Sequence, residues 1–244
     1  MKKIIYIMCF TFFLAACGEG QDKNGKTNTQ RKKESKQITS CFKEYGYAYE
    51  KLLTKADISK HVTIEENSFE TEISTTTGEY GSCTYTWDSD RPDLHVEMAG
   101  HTIPYPDINR VTLKMLHFYS EDETKLYSQK SAIDLFDQSY KKLDQAEYEE
   151  LLDNLREKYK DDKEGLGQAE GFLKARMNLS YEPLDHLGDR AYWKWHEEYG
   201  VELVVLTGSV HFTLQSKTSA DQSSSLKDAV NFAEEVLSKC KGNQ

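Results

Sequence analysis

Hydrophobic and polar positions repeat with different periods along this chain, and the changes of period divide it. After an apolar opening run, residues 18–37 (GEGQDKNGKTNTQRKKESKQ) carry no aliphatic or aromatic side chain. Such a segment buries too little surface to offset chain entropy, so it is expected to be a disordered tether. Residues 42–61 read as helical, with Thr54 and Asp57 spaced as a capping box for a short helix at 55–61. Phe69, Thr71 and Ile73 then share one side of a strand pattern. Cys83, Tyr85 and Trp87 share another, with Thr84 and Thr86 opposite. Alternation of period two marks strands with one buried face. Val111–Tyr119 continues in this manner after a turn-rich stretch, His101–Asn109, that contains Pro104 and Pro106.

The middle changes to spacings of three and four. Leu135, Phe136, Tyr140 and Leu143 are followed by Leu151, Leu152, Leu155 and Tyr159, with Asp144 and Glu147 as a second capping signal. This predicts two helices, or one with a break near Leu143. The last third returns to strands at Ala191–Glu197, Val201–Leu206 and Val210–Gln215, with Thr207-Gly208-Ser209 as a tight turn. Ser225 and Asp228 then open an amphipathic helix striped by Leu226, Ala229, Val230, Ala233, Val236 and Leu237. The order of helix, strands, helices, strands and helix gives an α+β fold class: two antiparallel-strand halves with flanking helices. Gly81, Tyr85 and Trp87 lie over Gly188, Tyr192 and Trp195, a faint repeat that points to a degenerate internal duplication.

The N-terminus is Met1-Lys2-Lys3, an apolar run from Ile4 to Ala16, then Cys17-Gly18. A basic start and a short apolar core make residues 1–16 a signal peptide, too short for the roughly 20 residues a spanning helix needs. Leu14-Ala15-Ala16-Cys17 resembles the lipobox of bacterial lipoproteins. That resemblance implies lipid on Cys17, cleavage just before it, residues 17–37 as lipidated cysteine plus tether, and residues 38–244 as one extracytoplasmic domain. Gly18, in place of Asp, implies an outer-membrane address in a Gram-negative cell. The membrane, reached through the lipid anchor, is thus the first expected partner. The whole chain carries −10, and residues 38–244 alone carry −15. So acidic a domain repels phosphate backbones, which makes nucleic acid a poor partner.

Three cysteines remain in the domain: Cys41, Cys83 and Cys240. An odd number allows at most one intramolecular pair. Nearness in sequence favours Cys41 with Cys83, leaving Cys240 free or bridging two molecules. Cys41 with Cys240 stays open and would tie the ends of the domain together. Cys41, Leu52-Leu53-Thr54-Lys-Ala-Asp57-Ile58, Gly81-Ser-Cys83-Thr-Tyr-Thr-Trp87 and Leu187-Gly188-Asp189-Arg-Ala191 look like motifs of secreted lipoproteins of an actinobacterial domain-of-unknown-function and kinase-sensor-like group. That resemblance implies an α+β fold, extracytoplasmic binding or sensing, and the Cys41–Cys83 pairing. The helical block at 131–163 and Cys240 depart from the pattern.

No motif assigns a cofactor or a catalytic residue. A GxSxG elbow is absent, and Gly165-Leu-Gly167 is too sparse to cradle phosphate. His95, Glu97 and His101 form the best metal-like grouping, but without the spacing of recognisable zinc sites. His117 and His211 sit singly in strand patterns. Trp193 and Trp195 share a face with Ala191 and read as core. Tyr192, on the opposite face, is the candidate ligand-binding residue. The expectation is a non-catalytic module that binds an unknown protein or small ligand. The alternatives are a hydrolase or metal-dependent enzyme using His95, Glu97 and His101, and an assembly factor pairing through Cys240.

Overall fold

The computed structural model describes residues 28–74, 76, 78–98, 100–126 and 131–241. The signal peptide, Cys17 and the tether up to residue 27 lie outside them. The domain is α+β, and its two strand sets join into one antiparallel sheet. Its strands are β1 (Glu70–Ile73), β2 (Ser82–Trp87), β5 (Asn109–Phe118), β6 (Glu182–Pro183), β7 (Arg190–His196), β8 (Gly200–Thr207) and β9 (Val210–Lys217), in the spatial order β1-β2-β5-β9-β8-β7-β6. A separate hairpin, β3 (Leu94–Met98) with β4 (His101–Tyr105), is inserted between β2 and β5. The turn-rich reading of His101–Asn109 is corrected here. Pro104 is tolerated because this hairpin pairs only with itself, so a missing N–H breaks no central ladder.

The strand order is symmetric about β9: β1, β2 and β5 run inward from one edge, and β6, β7 and β8 run inward from the other. Tyr85 and Tyr192 both occupy penultimate strands but face opposite sides of the sheet, since they belong to different apolar clusters. β1 is an edge strand with all four residues exposed, Ile73 included, so the buried face expected there does not form.

One face of the sheet, the inner face, is predominantly apolar, with Ser216 buried among its rungs. Cys83, Tyr85 and Trp87 from β2 join Val111 and Leu113 from β5, Val201, Leu203 and Val205 from β8, and Phe212 and Leu214 from β9. This is the alternation that the sequence pattern displays. Helices α1 (Asn28–Tyr45) and α8 (Gln222–Lys241) close the face, with Phe42 stacked on Phe212 at 6.2 Å and Phe232 fully buried. Burying each of these side chains is worth roughly 1.5–3 kcal/mol. The short helices α2 (Tyr49–Leu52) and α3 (Lys55–Ser59) complete this layer, and the Thr54–Asp57 capping box opens α3 as expected.

Two expectations fail on this side. Residues 28–37, read as tether, form the first half of α1. A polar segment extends a helix when its next turn is docked, and here Ser35 and Thr39 pack against the β8–β9 turn. Gly208 in that turn has φ +61°, and a Cβ on it would stand 2.6 Å from the Thr39 hydroxyl. The disulfide joins Cys41 to Cys240, not to Cys83. Cys41 lies on α1 and Cys240 on α8, helices that pack side by side, with the two Cα atoms 5.6 Å apart. Cys83 points into the inner core as a buried free thiol. Short sequence separation therefore misled; the pair staples the two ends of the domain.

Helices α4 (Glu121–Leu126), α5 (Ala132–Tyr140), α6 (Gln145–Lys158) and α7 (Lys163–Met177) follow β5. The break near Leu143 is real, and Asp144 with Glu147 forms the capping box of α6. Helix α7 was not anticipated, because its three glycines and polar turns hide the pattern.

Candidate functional site

The second, outer face of the sheet is built differently. Its side chains form cross-strand rungs set by the register. The first is Glu70, Thr86, Arg110 and Lys217. The second is Glu72, Thr84, Thr112, Gln215, Glu202 and Lys194. The third is Ser82, Lys114, Thr213, Val204 and Tyr192. Apolar packing covers only the β7–β8 end, where Phe136 of α5 meets Tyr192, Val204 and Leu206. On the first two rungs Thr84, Thr86, Arg110, Gln215, Glu202 and Lys194 keep contact with solvent. The result is a polar floor beside a small apolar wall.

Glu202 organises that floor. Burial works against its ionised form, but Tyr181, Lys194 and Gln215 donate to it and hold its pKa at about 2. Lys194 stands 3.0 Å from one carboxylate oxygen and Lys114 3.6 Å from the other. Gln215 donates at 2.8 Å, and the Tyr181 hydroxyl also donates. The Lys194 ammonium lies 4.6 Å above the Tyr181 ring, a cation–π contact. Thr84 and Thr112 hydroxyls meet at 3.0 Å. Lys217 is spoken for, with Asp107 at 3.0 Å and the Glu197 carbonyl at 3.0 Å. Arg91 pairs with the same Asp107 at 3.1 Å. Arg110 differs. No hydrogen bond or ion pair reaches it among the described residues, and its Nε is buried without a partner.

Tyr192, the sequence candidate, lies on this face but is only 5% exposed. Phe136 covers it, and its hydroxyl donates to Asp137 at 2.9 Å. Burial, and then that carboxylate, raise its pKa. It is not a free platform, as the alternation alone suggested. A cleft of about 300 Å³ does open beside it, between Asp137 of α5, Lys141 just past the end of that helix, and the 183–192 segment. A second cleft of about 350 Å³ lies on the other side of the same segment, against Glu234 and Ser238 of α8. Trp193 and Trp195 pack on the inner core as expected.

His117 and His211, read singly in the sequence, are cross-strand neighbours with rings 5.3 Å apart. A bulge between Lys114 and His117, with Met115 at φ 57°, brings them together. The extra residue keeps Leu116 in the inner core and turns His117 outward. His117 lies between two carboxylates, Glu79 at 2.7 Å and Glu123 at 3.1 Å. His211 is 6% exposed, with neither ring nitrogen bonded, and it is boxed by His117, Tyr119, Phe136 and Tyr140. Burial, helped by His117, lowers its pKa to about 3, so it stays neutral.

The metal-like grouping does not assemble. His95 and Glu97 share a face of the hairpin, but His101 pairs with Met98, one register step on, and falls on the other face. Glu97 accepts from Thr102 instead. Among the described residues no group of three His, Cys, Asp or Glu side chains could hold a metal ion. No protein-family model matches the chain, and no curated protein or solved structure matches it significantly.

Proposed function

We propose that the chain is a membrane-anchored, extracytoplasmic lipoprotein whose domain binds a ligand on the outer face of its sheet without transforming it. The observation that carries the reading is the polar floor with the partnerless Arg110. A folded acidic domain has ample carboxylate to pair with an arginine, and leaving one unpaired and half-buried costs stability. A ligand that supplies the missing acceptor offsets that cost.

The titratable groups nearby support binding over acid–base chemistry. Glu202 is held ionised by its donors, and His211 is sealed among rings and neutral. The address rests on the Leu14-Ala15-Ala16-Cys17 motif and on the Cys41–Cys240 bond, since disulfides persist in oxidising compartments. No helix among the described residues is long and apolar enough to cross a membrane. With Cys240 bonded within the chain, a covalent dimer through it has lost its thiol.

Two measurements test the reading. Mass spectrometry of the mature N-terminus should find acylated Cys17; an unmodified thiol there would remove the anchor. Titrating the 15N-labelled protein with fractionated envelope metabolites should shift amides of β5, β9 and β8. Shifts confined to α1 and α8, or none, would end the binding-face reading.

A further inference from the structure

We propose that the β3–β4 hairpin is a docking arm for a protein partner. The partner adds an extended segment of alternating apolar and basic residues to the free edge of β3. This site is separate from the outer face of the large sheet and does not depend on it.

The arm stands clear of the domain. Every residue of β4 is exposed, so neither of its faces is covered. Among the described residues β3 and β4 pair only with each other. A lone two-stranded hairpin is marginal in water and gains from a further strand. Its base is nonetheless held firmly. Arg91 donates to Asn109 and to the Ile108 carbonyl, both at 2.7 Å, and pairs with Asp107, which also meets Lys217. The side chains of Arg91, Asp107 and Lys217 are 10%, 9% and 6% exposed, so a buried clamp fixes an arm left bare above it. Presenting the arm in one position lowers the entropy cost of binding.

The register shows which edge is open. His95 lies opposite Pro104. Directly opposed antiparallel residues exchange either both of their hydrogen bonds or none. Proline has no N–H, so this pair exchanges none, and the His95 N–H and carbonyl point away from β4. Glu97, two residues on, repeats that orientation. The free edge of β4 is the poorer template, since Pro104 leaves a gap in its donors.

The two faces of the arm state what the added strand carries. On one, Leu94 lies opposite Tyr105, which is 53% exposed, and Ile103 beside it is 44% exposed. On the other stand His95 and Glu97, whose carboxylate accepts from Thr102 and has lone pairs to spare. Residues 88–108 hold five acidic side chains (Asp88, Asp90, Asp93, Glu97 and Asp107) against Arg91, a net of −4. Successive side chains of an added strand fall on the two faces in turn, so apolar and basic residues alternate. A second copy of this chain fits poorly, because it would set these carboxylates against their own kind. A bilayer fits poorly as well. Anionic headgroups meet the same carboxylates, and the arm rises from the end of the sheet opposite the β8–β9 turn on which α1 docks. An anchor upstream of α1 would hold it away from its own membrane.

The probe is the peptide acetyl-(Val-Lys)4-amide, titrated at low salt into the whole 15N-labelled protein. The comparisons are the same peptide with Glu for Lys, and a block peptide of four valines followed by four lysines. The alternating basic peptide should shift the amides of residues 94–105 and slow hydrogen exchange at His95 and Glu97. His95→Pro removes an edge donor that the hairpin itself does not use, and should weaken binding by about tenfold. Ile103→Thr keeps strand propensity and should weaken it by about threefold, while Glu149→Gln on α6 changes nothing. Thermal midpoints should hold in all three variants; if His95→Pro lowers the midpoint, Ile103→Thr decides alone. Equal binding of either comparison peptide, binding that survives these substitutions, or no shift with the alternating peptide would overturn the proposal. So would protection of the same amides by phosphatidylcholine or phosphatidylglycerol vesicles, or a self-dimer that Ile103→Thr disperses. Shifts of the β5, β9 and β8 amides by envelope metabolites are a separate result, so the arm and the outer face can fail independently.

Discussion

The two faces of the seven-stranded sheet are made from the same strands, yet they solve opposite problems. On the inner face the rungs are predominantly apolar, two long helices lie across it, and a disulfide fastens those helices to each other. On the outer face apolar packing stops at Val204 and Leu206, and the remaining rungs are serine, threonine, glutamine, glutamate, lysine and arginine. The inner face supplies stability through area removed from water. The outer face keeps charges that a stability optimum would discard. Sheets with one packed and one solvated face are common in antiparallel folds. What sets this one apart is that its polar side is organised around the half-buried Glu202 carboxylate and Arg110, which has no partner among the described residues.

If that contrast is right, the largest effects belong to the inner face. Replacing both Cys41 and Cys240 by Ala should cost about 5 kcal/mol in the chain-entropy model, because the loop they close spans nearly the whole domain. Chemical denaturation would show it as a lower midpoint. Phe212→Ala should cost roughly 4 kcal/mol, the usual range for emptying a packed aromatic site.

The next effect is a pH dependence centred on the outer face. His211 has a folded-state pKa of about 3, whereas an unfolded histidine titrates near 6.5. Below that value the unfolded chain takes up a proton that the fold refuses, so stability is present at neutral pH and declines as pH falls. The decline should reach about 3 kcal/mol by pH 4.5. His211→Phe should flatten the curve between pH 6.5 and 4.5. Glu202, held at about 2, adds its own loss only at lower pH, as protonation of the unfolded carboxylate begins. The two windows are thus separable in one series of melts. Smallest of all, Tyr192→Phe should cost about 1 kcal/mol, the worth of one hydrogen bond to Asp137.

How far these features were legible in the sequence follows from what each depends on. Cys83, Tyr85 and Trp87 declared the inner face because burial imposes strict alternation on a strand. The Thr54–Asp57 and Asp144–Glu147 boxes announced helix starts because capping is a local interaction. The disulfide was misread because it depends on α1 meeting α8, a contact between the two ends of the domain. Helix α1 began earlier than expected because its polar first half is held through one docked turn and not through an apolar stripe. The outer face was the least legible. Arg110, Thr112 and Lys114, like Thr213, Gln215 and Lys217, read as ordinary solvated alternation. Only the order of strands reveals that they lie side by side, and only the lack of a partner among the described residues singles out Arg110. The His117–His211 pair required a bulge that no residue pattern signals.

The most direct measurement is the thermal stability of Arg110→Thr, taken beside its binding. Thr matches the neighbouring rungs and favours strands, so it removes the unpaired guanidinium without opening a core cavity. The account predicts an unfolding midpoint that holds or rises, by up to about 1 kcal/mol of stability, together with lost ligand binding. A midpoint that drops by several degrees would make Arg110 a structural residue and would contradict the assignment of the outer face to a ligand.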